Sequence, residues 1–230
     1  MAKIYTSMGL MSGTSLDGID VSIIKSDGKR EYSSILDRYF EYDRELIQKL
    51  LKIRDKIGNS DDLLKYFKEL RDLEREITLF HVKAVDETIR TSNADIDLIG
   101  FHGQTIFHDS KKKITKQLGD GKLLSQLIKK KVVYDFRQND LKNGGEGAPL
   151  APIFHKLLAE KYNLAQKNTS PSTQATFVNI GGISNCTYSE NDNFIAKDVG
   201  PGNCLMDMYM KKKLNKNFDD NGNLASYGKI

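Results

Sequence analysis

The order of apolar and polar positions divides this chain into a strand-rich start, a long helical block and a mixed second half. Apolar runs bounded by small or polar residues predict strands over 4–11, 19–24 and 33–40. The period then changes. Leu63, Leu64, Phe67, Leu70, Leu73, Ile77, Phe80 and Val85 recur at near-helical spacing, which predicts helices over roughly 43–57 and 60–91. Ser60-Asp61-Asp62 marks the second start, with a capping hydroxyl and acids in the first turn. A short buried strand is expected at 96–101, a helix near 120–130 and another strand at 132–136. Residues 137–149 are rich in Gly and Asn and predict a loop. Pro149 is placed to open a helix running to about Tyr162. The polar stretch 163–174, with Ser170-Pro171-Ser172, reads as a surface connection. Strands near 175–180, 183–188 and 193–199 and a helix over about 202–214 complete an α/β pattern. No repeat of 20–50 residues interrupts it.

Composition narrows the function classes. Thirty-five basic and 31 acidic residues leave a net charge of +4 in 230 residues. The lysine runs 111–113, 129–131 and 211–213 are separate and carry no interleaved aromatics, so they read as solvated helix ends rather than a nucleic-acid surface. No apolar stretch approaches the ~20 residues of a membrane span, and Met1 to Tyr5 offers no apolar leader. Cys186 and Cys204 have neither disulfide-framework nor metal-ligand spacing. A soluble, reduced, cytoplasmic protein is expected.

The most chemical stretch is Gly9 to Asp20. Two apolar runs flank Ser12-Gly13-Thr14-Ser15-Leu16-Asp17-Gly18. Glycine lets the backbone bend closely around a ligand, and successive N–H groups in such a loop form an anion nest. Thr14 and Ser15 add hydroxyls, and Asp17 can hold a metal ion through water. A strand follows the loop, so it is not a Gly-Lys-Ser/Thr phosphate loop opening a helix. An ordinary Gly-Asp hairpin turn accounts equally well for the same string.

Three further clusters stand out. His102, Gln104, Thr105 and His108 follow the 96–101 strand, and strand ends in α/β sheets are where ligands sit. Each histidine alone is as consistent with a structural role as with catalysis, and no third ligand makes a metal pair of them. Arg137 follows Asp135-Phe136 and precedes Asn143-Gly144-Gly145-Glu146-Gly147. It suits a ligand carboxylate or phosphate, or a surface pair with Asp135 or Asp140 worth under ~1 kcal/mol. Third, Gly181-Gly182 repeats the logic of the first loop, and Asp198 precedes Gly200-Pro201-Gly202. A helix N-terminus there favours anions, which suits Asp198 to act as a general base or simply to cap the helix.

The strings Gly-Leu-Met-Ser-Gly-Thr-Ser-Leu-Asp-Gly (9–18), His-Gly-Gln-Thr (102–105), Asp-Phe-Arg (135–137), Gly-Ala-Pro-Leu-Ala-Pro (147–152), Asn-Ile-Gly-Gly-Ile-Ser-Asn (179–185) and Asp-Val-Gly-Pro-Gly-Asn (198–203) together resemble the anhydro-N-acetylmuramic acid kinase family. The resemblance implies an actin-like, sugar-kinase/Hsp70 ATPase (ribonuclease H-like) fold. A first lobe would span 1–135, and a partial second lobe, with the second phosphate loop and the catalytic Asp, 136–230. It implies ATP and Mg²⁺ as cofactors and an amino-sugar substrate. Ser12, Gly13, Thr14, Ser15, Leu16, Asp17, Gly18 and Ile19, with Gly181 and Gly182, would hold the nucleotide phosphates. Thr105, Arg137, His102 and Gln104 would contact the sugar, and Asp198 would be the catalytic base. A homodimer is common in such kinases. Two departures stand out. Glu146 replaces an expected Gln, and family members continue past residue 230, so the second lobe would be truncated. A complementing C-terminal fragment, or a remnant without catalysis, is then the alternative.

Overall fold

Tyr5–Ser12 (β1) and Gly18–Ser26 (β2) form an antiparallel hairpin, because two alternating apolar runs meet across a five-residue turn of small and polar residues. Tyr32–Glu41 (β3) extends it antiparallel on the β2 side. In the computed structural model of the chain, residues 3–165, 174–190 and 193–229 are described. They divide into two compact units, Met1–Ala148 and Pro149–Ile230.

The first unit is built on a mixed sheet ordered β3-β2-β1-β4-β5, in which Leu98–Asp109 (β4) runs parallel to β1. Lys131–Tyr134 (β6) also pairs with β4 in parallel. Three helices follow β3: Arg44–Lys56 (α1), Ser60–Lys65 (α2) and Phe67–Ser92 (α3). Their apolar stripe, including Leu46, Leu50, Leu70, Leu73 and Ile77, shares one core with Met8, Leu10, Ile19, Val21 and Ile23. Asp43 caps α1 by accepting from the Leu46 N–H at 2.8 Å. The cap of α2 is Asn59 rather than Ser60: Asn59 and Asp62 form a reciprocal capping box. Tyr66 interrupts the long helical pattern and separates α2 from α3.

Several boundaries differ from expectation. β4 continues to Asp109, since its second half pairs antiparallel with a strand the apolar pattern does not announce, Ile114–Leu118 (β5). That strand is short and half polar, and it exists because β4 offers it a free edge. The expected loop after residue 136 contains a helix, Phe136–Lys142 (α5), held by burial of Leu141. It packs on β5, within the unit that ends at Ala148. Gly121–Ile128 (α4) lies between β5 and β6 and is capped by Asp120.

In the second unit, Pro152 rather than Pro149 opens the helix Pro152–Ala165 (α6). Residues 166–173 of the expected polar connection lie outside the described residues. Gln174–Ile180 (β7), Ile183–Glu190 (β8) and Asn193–Pro201 (β9) form an antiparallel sheet. The helix α6 packs on it, with His155 stacked on Phe177 at 4.7 Å and bonded to Thr187 Oγ1 at 2.9 Å. Val178, Ile180 and Ile195 on these strands stay exposed among the described residues. The last long helix is Cys204–Leu214 (α7), two residues shorter at its start than expected.

Candidate functional site: a tethered hydroxyl-rich loop and a half-buried arginine

The β1–β2 loop is held from below at several points. Leu16, in the left-handed region at φ 61°, buries its side chain almost completely. The Tyr42 N–H donates to the Asp17 carbonyl at 2.8 Å, and its phenol shares a buried 2.6 Å hydrogen bond with Ser12 Oγ. Gln104 Nε2 donates to the Gly13 carbonyl at 2.8 Å. On the outer side, Thr14, Ser15 and Asp17 are exposed, and Ser15 Oγ donates to Asp17 Oδ1 at 2.6 Å. The backbone N–H groups of these three residues have no acceptor among the described residues. Gly18 and Ile19 are buried at the start of β2. A Cβ on Gly18 would collide with the Phe40 carbonyl and the Tyr39 ring, so this glycine is required by close strand approach. Burial pushes the Tyr42 phenol up to about 12, with the Asp17 charge adding to it. Burial, then Asp17, raises Asp20.

The second cluster forms where β4 meets α5. Gly100 lies against the Phe136 ring, and two residues on, His102 meets Arg137. His102 Nδ1 lies 2.7 Å from the Gly103 carbonyl, which only accepts, so Nδ1 carries the proton. Nε2 then accepts from Arg137 Nε at 2.9 Å. Burial, reinforced by the guanidinium, lowers His102 below its ordinary value and keeps the ring neutral. Both ring nitrogens of His102 are therefore paired within the protein. No further hydrogen bond of Arg137 is present among the described residues. Thr105 Oγ1 faces Gln117 at 3.4 Å, and His108 bonds Thr115 Oγ1 at 3.2 Å.

The glycine cluster after α5 is occupied by the chain itself. Asp140 Oδ2 accepts from the Gly147 N–H at 2.7 Å, and a Cβ on Gly145 would overlap the Asp140 carboxylate. Lys113 Nζ binds the Gly144 and Gly145 carbonyls. The close approach these glycines allow serves Asp140, and Glu146 is exposed. Neither surface pair considered for Arg137 forms; it turns to His102 instead.

In the second unit, the Gly181 and Gly182 carbonyls accept from Asn203 and Gly202 N–H groups at 2.8 and 3.0 Å. The turn is thus welded to the start of α7. A side chain on Gly202 would collide with the Gly181 carbonyl. Asp198 is exposed within β9 opposite Asn185, not at the helix start, where Asn203 stands. Capping of α7 is therefore not its role. Among the described residues no group of three or more His, Cys, Asp or Glu is arranged to hold a metal, and no helix is long and apolar enough to cross a membrane.

Tyr42 and the structural role of Gln104 escape a sequence reading, because their partners lie 30 and 91 positions away along the chain. Comparison with known proteins adds a family. The model describing anhydro-N-acetylmuramic acid kinase matches residues 5–230. A protein of that name from Pelagibacter ubique (strain HTCC1062) is 50% identical over 232 residues, covering 100% of this chain and 60% of the relative. The Agrobacterium fabrum relative of the same name is 41% identical over 241 residues, covering 100% of this chain and 61% of its own length. One from Rhodopseudomonas palustris (strain ATCC BAA-98 / CGA009) is 40% identical over 232 residues, 98% of this chain and 60% of its own. The chain thus spans about 60% of the length of these curated relatives. With a match across nearly its whole length, the chain belongs to the anhydro-N-acetylmuramic acid kinase family.

Proposed function

We propose that this chain carries the phosphate-binding and proton-accepting parts of an ATP-dependent kinase. The reaction converts 1,6-anhydro-N-acetylmuramic acid and water to N-acetylmuramic acid 6-phosphate, in the recycling of peptidoglycan in the cytoplasm. One observation carries the reading. In the β1–β2 loop Thr14, Ser15 and Asp17 are exposed, and their N–H groups have no acceptor among the described residues, beside two hydroxyls. Such a surface takes an anion. The sheet order, with β1–β3 antiparallel and β4 and β6 parallel to β1, supports the ribonuclease H-like, actin-like kinase fold.

The residues divide the work as follows. Thr14, Ser15 and the loop N–H groups receive nucleotide phosphates. Asp17, an exposed carboxylate at the end of the loop, would hold Mg²⁺ through water. When bound, that ion offsets negative charge on the phosphates. Arg137, oriented by His102, presents a fork to the lactyl carboxylate, and Thr105 offers a hydroxyl to the sugar. Asp198 takes a proton from water. The water oxygen bonds to the anomeric carbon as the bond to the bridging oxygen breaks. That oxygen takes the γ-phosphoryl group, and ADP leaves.

A second reading is favoured by the apolar residues left exposed on the β7–β9 sheet: the chain is a non-catalytic remnant, or acts only with a complementing C-terminal polypeptide or as a homodimer. A coupled assay with anhydro-sugar and Mg-ATP tests both. It is run with residues 1–230 alone and with the last 40% or so of a relative added in trans. Sugar phosphate in either arm supports the kinase. None in both arms leaves the remnant.

A further inference from the structure

The β1–β2 loop owes its anion-binding character to where its carbonyls point. A loop of this size exposes either N–H groups or C=O groups to a ligand, and the two have opposite effects on an anion. Two carbonyls here, Gly13 and Asp17, are drawn inward by donors from other elements. Gln104 Nε2, on β4, holds the Gly13 carbonyl at 2.8 Å. The Tyr42 N–H, just past β3, holds the Asp17 carbonyl at 2.8 Å. Both holders are rigid. Gln104 is fully buried, and Tyr42 is 2% exposed, packed edge-on against Phe80 at 4.9 Å and bonded through its phenol to Ser12 Oγ. Ser12, Gly13 and Asp17 are thereby fixed at both ends of the turn. The intervening N–H groups of Thr14 and Ser15, on exposed residues, have no acceptor among the described residues.

The orientation of the Gln104 amide follows from the same contact. Its Nε2 faces a carbonyl, which only accepts, so the amide cannot be reversed without placing two oxygens together. Its Oε1 is buried with no partner among the described residues. An unpaired buried acceptor calls for an explanation, and the contact of Nε2 with the Gly13 carbonyl supplies one.

We propose that Gln104 and Tyr42 are positioning residues that keep the two carbonyls of the β1–β2 loop away from a bound polyphosphate. The inference rests on the reading of that loop as the nucleotide phosphate site. It gives Gln104 a role other than contact with the sugar. A sealed side chain whose amide hydrogens are spent on the backbone has nothing to offer a ligand directly.

The test uses the 230-residue chain. Gln104→Met keeps the side-chain length and removes the donor. Tyr42→Phe removes only the phenol and is the second variant if the first does not fold. Two quantities are measured: backbone ¹⁵N order parameters of residues 13–17 without ligand, and dissociation constants for inorganic tripolyphosphate and Mg-ATP. The expected result for Gln104→Met is a fall of the loop order parameters from about 0.85 toward 0.6, with binding at least tenfold weaker for both ligands. Tyr42→Phe is expected to weaken both about threefold or more. Order parameters unchanged in both variants overturn the positioning role. If the wild-type chain binds neither ligand, the phosphate-site reading fails, and the order parameters still decide whether Gln104 and Tyr42 hold the loop.

Discussion

His81 is the most informative single side chain for stability. It lies fully buried in α3 with its ring edge-on to Phe101 at 4.8 Å. Nδ1 donates to the Ile77 carbonyl one helical turn back at 2.8 Å, so Nε2 carries no proton, and Nε2 has no partner among the described residues. Burial, with a smaller contribution from His102, lowers this histidine to about 4 from its ordinary 6.5. In the unfolded chain it titrates near 6.5. Between these values the unfolded state binds more protons. Stability is therefore full above about pH 6.5 and is lost as pH falls toward 4. A 2.5-unit difference is worth ~3 kcal/mol in total, of which ~2 kcal/mol is lost by pH 5.

His81→Leu removes the titration and keeps an apolar side chain of similar size. The Ile77 carbonyl retains its helical position, and the unpaired Nε2 disappears. Urea denaturation of both proteins at pH 8, 7, 6 and 5 isolates the effect, since other histidines contribute equally to each. The stability of the variant relative to wild type is expected to rise by ~2 kcal/mol between pH 8 and pH 5. A difference that stays constant across that range refutes the assignment of a buried neutral imidazole. A direct ¹H titration of His81 with a midpoint near 6.5 does the same.

Three other outcomes follow from the same structure. Gly18→Ala places a methyl group against the Phe40 carbonyl and the Tyr39 ring, and should cost about 1–3 kcal/mol by chemical denaturation; a loss under ~0.5 kcal/mol contradicts the strand packing described. Arg137→Met removes the cation beside His102, so the His102 titration should move up toward its ordinary value while burial still holds it below. An unmoved midpoint by NMR shows that the guanidinium does not sit on that ring. In any arm of the kinase assay that shows activity, Asp198→Asn should lower the rate by roughly 10²–10⁴-fold, and a rate within about threefold of wild type removes Asp198 from the role of base.

What the sequence makes legible here is what short-range patterns encode. β1, β2 and α3 are visible because Met8, Leu10, Ile19, Val21 and Ile23 alternate, and Leu70, Leu73 and Ile77 follow the helical period. The Ser-Gly-Thr-Ser turn is visible because small and hydroxyl residues interrupt two apolar runs. The second half of β4 and all of β5 are not, since His, Gln, Thr and Lys there hide strands that exist by pairing with each other. The helix α5 is hidden by its polar composition and announces itself only through burial of Leu141. The site is legible in its residues and illegible in its wiring. Ser12 meets Tyr42 30 positions away, and Gly13 meets Gln104 91 positions away. Nothing local in the sequence distinguishes a glutamine that contacts a ligand from one that holds a loop.

Binding of nucleotide phosphates by the β1–β2 loop is open to direct measurement. A thermal melt of residues 1–230 with and without saturating Mg-ATP tests it most directly. A phosphate-binding loop gives a cooperative transition that moves to higher temperature with nucleotide, by an amount that grows with its concentration. A cooperative transition at the same temperature at every Mg-ATP concentration contradicts it.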